Sequence, residues 1–414
     1  MDPLLSEQLT MTENDPSFDS PGDGAITPSP ADLPRTPEPI MAPASGLPPT
    51  LGFVERSHTP KVRWPHPNFG WSLLWCLLLV FATQVPGAII AALAIVALAL
   101  LAPNTLPSEA LNNQAVLLQS KAMSLALAVG FFFTELIFIG FSWLVIRLVV
   151  GRDWKRQLAL RRPGLAHTLL VLAGFPAMWL VGTAAYNALR NQLHVPSFFM
   201  EDAMSLFSHW PWGFTVLVIG LGPGIGEELW CRGFLGRGLV GHYGAFFGVI
   251  AASFFFGLIH LDPCQGAMAM VLGLWLHFVY LTTRSLLLPM LLHFLNNSLS
   301  VSLSALASRF PQSQGLDTDP QAVPVSVCLA ALFLLASVAY ALYQSRARLA
   351  VKSPEQLFFW RPTFEGVEYP PAGSGMKVVH PWPSPLAAVL AVSGFLLFIL
   401  ACVAWIYPEY SYRG

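Results

Sequence analysis

Apolar runs long enough to cross a bilayer recur along this chain, and no other feature narrows its fold so far. Nine stretches are mostly apolar: about 71–102, 121–149, 166–189, 212–235, 243–261, 264–281, 285–307, 322–344 and 383–407. Each reaches about 18 residues or more, the length of a membrane-span candidate. Charged residues make up only 11% of the chain, against about a quarter in a soluble domain. The expected fold is therefore all-α: a polytopic transmembrane helical bundle of about nine spans. A net charge of -1, with no basic run, speaks against nucleic acid as a partner. Cys76, Cys231, Cys264, Cys328 and Cys402 are scattered through apolar segments without a C-x-x-C pair. They read as small buried hydrophobes, neither a disulfide framework nor a zinc site.

Residues 1–68 are rich in Pro, Ser, Thr, Asp and Gly. They cannot bury enough surface to offset their ordering entropy and read as a disordered Pro/Ser-rich tail. The opening MDPLLSEQLT has no basic n-region and no apolar core, so it is not expected to act as a signal peptide. Residues 69–211 form a first group of membrane helices and 212–305 a polar-marked core. Residues 306–414 add further membrane helices and a cytoplasmic loop. Within these, 191–211 is short and amphipathic, either an interfacial or a connecting helix, and 345–382 reads as an irregular linker. Basic residues cluster at Arg56, Lys61 and Arg63, then at Arg147, Arg152, Lys155, Arg156, Arg161 and Arg162. A third cluster is Arg346, Arg348, Lys352 and Arg361. Nine spans place all three on one side. The positive-inside rule then makes the N-terminus cytoplasmic in a multi-pass protein, expected in the plasma membrane.

Polar residues concentrate in three of the apolar segments. The fourth span holds Glu227, Glu228 and Arg232, the fifth ends in Phe256-Gly-Leu-Ile-His260, and the seventh carries His293-Phe-Leu-Asn-Asn297. An acid at mid-membrane costs about 2.5–3.5 kcal/mol on insertion scales and usually faces a cavity or a partner. Glu228 and Arg232 are spaced i,i+4 with the acid first, the favourable order for an ion pair. Glu227 is turned about 100° from Glu228 and faces elsewhere. One glutamate thus has a local partner, while the other suits a general base. His293 and Asn297 share a helix face, and either side chain can donate to an oxyanion. Taken singly, each feature is more readily a structural pair, a satisfied histidine or an interhelical hydrogen bond than a site. Their joint occurrence within about seventy residues favours a site.

These residues meet only if a turn near His242 folds the chain back and the fifth span ends inside the bilayer. Asp262-Pro263 favours such an end. The GLGPGIG run at 220–226 lacks the strand and the Lys-Ser/Thr of a phosphate loop. Its expected use is close helix approach and a loosened helix beside Glu227.

Glu227-Glu228-x-x-x-Arg232, Phe256-x-x-x-His260 and His293-x-x-x-Asn297 resemble, in order, the three motifs of the CAAX-processing and bacteriocin-immunity family. That family of intramembrane proteases includes the type II CAAX prenyl endopeptidase. Thr283-Arg284-Ser285-Leu286 resembles its lead into the last motif. The resemblance covers about residues 212–305 and leaves the tail and last two spans unexplained. It implies an endopeptidase in which Glu227 and His260 activate water and His293 and Asn297 stabilise the oxyanion. Glu228, Arg232 and Phe256 would support them. The substrate would be a membrane-associated or lipid-modified peptide or protein, with CAAX-type C-terminal processing as one form. Two chemistries stay open, a metal-free one and one with zinc on Glu227, His260 and His293. The competing reading is a non-catalytic scaffold or immunity-type protein. A proton-relay transporter would call for paired broken helices, and the halves show no such symmetry.

Overall fold

The computed structural model describes residues 67–105, 116–117, 120–196, 206–207, 210–309, 323–351 and 367–407. The expected N-terminal tail, apart from residues 67–68, and about half of the amphipathic 191–211 stretch lie outside these residues.

Helix α1 is Phe69–Leu101, α2 Lys121–Val149, α3 Trp154–Gln157 and α4 Leu165–Asn187, which runs on into a π turn at Ala188–Gln192. Next come α5 Trp212–Thr215, α6 Gly222–Glu228 and α7 Arg237–Leu258, joined by π turns at Val216–Leu221 and Leu229–Gly236. The chain continues through α8 Pro263–Thr283, α9 Leu287–Arg309, α10 Val325–Gln344 and α11 Pro385–Ile406.

Seven helical stretches among the described residues are long and apolar enough to span a membrane. One of them, Trp212–Leu258, is really two arms. Gly244 has φ 73° and ψ 173°, and a Cβ on Gly248 would lie 2.5 Å from Cα of Val240. The chain therefore doubles back at Gly244, two residues beyond the expected His242. Helix α9 packs in the same bundle but is more polar. Counting the second arm and α9 as bundle helices makes the described residues roughly consistent with the nine spans expected.

Two apolar cores flank the middle helices. The first is built on Trp230, Phe234, Phe255 and Phe256, with Phe138 and Ile146 of α2 and Leu79 of α1. The second joins α4, α8, α9, α10 and α11 through Val171, Leu276, Leu292, Leu334 and Phe398. Helices α1 and α11 turn large apolar side chains such as Leu93, Leu100, Leu386 and Leu400 outward, as lipid-facing helices do. Small residues let α1 and α2 approach: a Cβ on Gly130 would lie 2.7 Å from that of Ala91.

One expectation is corrected. The 345–382 linker contains an antiparallel pair, β1 Arg348–Val351 and β2 Met376–Val379. The two strands have four residues each, too short to show period-two patterning in a sequence. A backbone bond ties this region to the bundle, Ala347 N–H donating to Thr282 O at 2.7 Å, and Leu286 N–H donating to Ala159 O at 3.1 Å brings the 152–162 stretch to the same corner. The basic stretches at 152–162 and 346–348 thus gather at one end. All five cysteines are free.

Candidate active site

The helix that carries both glutamates is irregular for a local reason. Pro223 sits in the first turn of α6 and has no N–H for the carbonyl four residues back. That carbonyl belongs to Ile219. It accepts instead from Nδ2 of Asn297, at 3.0 Å. The wider i→i+5 turns on either side of α6 mark the loosening expected beside Glu227; such turns are rare and frequent at functional sites. The glycines act by close approach. A Cβ on Gly224 would lie 3.1 Å from the backbone N of Phe294, and one on Gly226 would lie 2.8 Å from Phe138. Helices α9 and α2 therefore clasp α6 from two sides.

Glu228 is wholly buried. Its Oε1 accepts from Nη1 of Arg232 at 2.7 Å and faces Nδ1 of His293 at 2.8 Å. Arg232 also donates from Nη2 to Gly273 O, at 3.3 Å, and stacks over the Phe256 ring, 4.2 Å from its centroid. Phe256 wedges between two imidazoles, edge to face with His260 at 5.1 Å and with His293 at 5.6 Å. The pairing read from i,i+4 spacing is thus present, and Phe256 touches both histidines and the arginine.

Glu227 meets the other nitrogen of the same His293 ring, without the arginine. Its Oε2 is buried and accepts no hydrogen bond among the described residues. Two ring nitrogens face that oxygen, Nε2 of His260 and Nε2 of His293, each at 3.9 Å. The hairpin at Gly244 and the early end of α7 create this meeting. Asp262 caps α8, accepting from Gln265 N–H at 2.8 Å, so that acid is structural. Nδ1 of His260 lies 2.8 Å from Phe256 O. A carbonyl only accepts, so Nδ1 carries the proton and a neutral His260 presents a lone pair at Nε2.

The residues do not fit zinc. Ligands of one tetrahedral zinc at about 2.0–2.1 Å stand about 3.3 Å apart, less than the 3.9 Å separations here. Among the described residues no group of three His, Cys, Asp or Glu is placed to hold a metal ion. Asn297 lies one turn from His293, and one amide N–H is engaged by Ile219.

The sequence reading missed Glu135. This acid lies in the middle of α2, and its Oε2 would be 2.9 Å from a Cβ on Gly222. That oxygen is buried without a hydrogen bond among the described residues. Any acid inside a span is a candidate, and that rule alone would have found it; Glu135 belongs to no motif.

The fold and the cluster define a class: a polytopic helical membrane protein with a buried glutamate–histidine centre. Within the 414-residue chain, residues 209–299 match the family described as Type II CAAX prenyl endopeptidase Rce1-like, the family that the three motifs resemble. Neither a curated protein nor a solved structure matches the chain.

Proposed function

We propose that the protein is an intramembrane endopeptidase that hydrolyses a peptide bond without a metal. The observation that carries this reading is the pair of acceptors at 3.9 Å, Glu227 Oε2 and His260 Nε2. Two acceptors cannot bond each other, but one water donates a hydrogen to each. Polarised from both sides, its oxygen attacks the carbonyl carbon. One proton passes to Glu227 and then to the departing amine as the C–N bond breaks. The developing oxyanion is assigned to His293 Nε2–H, with Glu228 facing Nδ1 on the opposite side of the ring, and to the second N–H of Asn297. Glu228, Arg232 and Phe256 hold these groups in place.

A membrane-associated or lipid-modified substrate suits the surroundings. A cavity of about 410 Å³ lies between α4, α8, α9 and α10, walled by Trp179, Val271, Trp275 and Phe278. Asn296 lines it and donates to Asn297 Oδ1 at 3.1 Å, so an apolar chain seated there would lie beside the site. The basic end of the bundle is assigned to the cytoplasm.

The test compares protein termini in host membranes containing the wild-type chain or Glu227→Gln at matched levels. New termini that need Glu227 support a protease and name its substrates. Identical termini, with both proteins inserted and folded, favour the scaffold or immunity-type reading.

A further inference from the structure

The glutamate-bearing helix is held at both ends of its second π turn, and the lower hold comes from outside the family match. The turn spans Leu229–Gly236, between Glu228 and Arg237. Above it, Glu228 is locked to His293, and within the turn Arg232 donates to Glu228 and to Gly273 O. Below it, Arg237 is buried and donates from Nη2 to Gln157 Oε1. Glu368 acts on Arg237 electrostatically, and both line one cavity of about 10 Å³, with Gln157, Gly236 and His277. That is room for a single water.

Glu368 is itself firmly placed. It is 3% exposed, and its Oε1 accepts from Arg156 Nη1 at 2.9 Å. The same Nη1 donates to Tyr369 O at 3.0 Å, Tyr369 N–H donates to Arg156 O at 3.2 Å, and Arg161 stacks over the Tyr369 ring at 4.8 Å. Residues 367–369 are therefore seated against α3, α7 and α8 rather than draped over them.

We propose that Glu368 is a positioning residue for the site: through Arg237 it fixes the register of the 229–236 turn, and so the direction in which Glu227 faces His260 and His293. A π turn carries one residue more than the α ladder and persists only where its surroundings hold it. Relaxation by one residue would turn one end of the helix against the other by about 100°. Glu227 and Glu228 would then exchange faces. The matched segment 209–299 is thus incomplete without a piece of chain some seventy residues further on. The catalytic side of this inference rests on the protease reading; the structural side does not.

The test uses the full chain in lipid nanodiscs, with two readouts: turnover of a substrate named by Glu227-dependent termini, and hydrogen exchange of residues 229–243. Glu368→Gln is expected to lower kcat about tenfold while KM stays within about twofold. Exchange in 229–243 should quicken about tenfold, and by more than exchange elsewhere in the bundle, where only the general loss of a buried ion pair is felt. Arg237→Lys keeps the charge but loses the guanidinium fork and should show the same pair of changes. Wild-type exchange in both variants overturns the proposal. Faster exchange with unchanged kcat overturns the positioning role. If the wild type shows no Glu227-dependent turnover, the protease reading falls, and exchange alone decides whether Glu368 holds the turn.

Discussion

Replacing Glu228 by Gln would leave Arg232 buried with its counter-charge gone. Removing one partner of a buried pair costs about 3–5 kcal/mol, so Glu228→Gln should lower the unfolding temperature sharply. Glu227→Gln should not, because its Oε2 gives up no hydrogen bond; its change in stability should stay below about 1 kcal/mol. Its activity should fall by about 10²–10⁴, the usual contribution of a general base. Measured together, unfolding temperature and turnover should separate these adjacent residues, and equal behaviour would undo the assignment. This division was legible in the sequence, since helical spacing alone separates a paired glutamate from its neighbour. The second task of Asn297 was not. It depends on which carbonyl Pro223 frees and which helix lies opposite, and no one-dimensional pattern carries that register.

Among the elements, α7 and its corner with α8 decide whether His260 reaches Glu227. Their backbones touch: a Cβ on Gly257 would lie 2.4 Å from Gly266 O, and one on Gly266 would lie 2.7 Å from Gly257 O. Backbone cannot step aside as a side chain can. Gly257→Ala should therefore push α7 from α8, destabilise by about 1–3 kcal/mol and abolish turnover by displacing His260. Gly244→Ala is a useful contrast. No heavy atom lies within 4 Å of its would-be Cβ, so only the positive φ is strained, at about 1–3 kcal/mol. It should cost stability while sparing most of the turnover, and denaturation curves beside initial rates would show the difference. The hairpin was readable from the turn residues near His242. The π turns were not, because one extra residue in a nearly all-apolar helix leaves no trace in its hydropathy.

At the scale of the whole molecule, the segment after α10 is part of the assembly. Burial, and next to it the charge of His167, pushes the His380 ring below the usual histidine value of 6.5. The two rings are 5.5 Å apart, and His167 Nε2 lies 2.7 Å from Ser345 O. Because the unfolded chain takes up the proton first, His380 costs nothing above the usual value and lowers stability as pH falls below it. The unfolding temperature should drop between pH 7.5 and pH 5.5, and His380→Gln should flatten that slope. An unchanged slope in the variant would show that other groups set it. The all-helical bundle was readable from hydropathy. The docking of residues 345–382 was not, since strands so short and so far apart in sequence pair only once the helices have brought them together.

The reversal at Gly244 also bears on how such a chain is made. The arm 245–258 has about 14 residues and a length of about 21 Å, short of the roughly 30 Å of hydrocarbon in a bilayer. Emerging from a ribosome alone, it is too brief to be retained as a span, and its end bears a histidine and a buried aspartate. It must enter the membrane together with α8, as one looped unit. A reporter fused just after residue 261 would interrupt that unit and be delivered to a compartment the corner never occupies in the finished protein. Sidedness maps built from truncated fusions will misplace this stretch, whereas tags inserted into the complete chain will not.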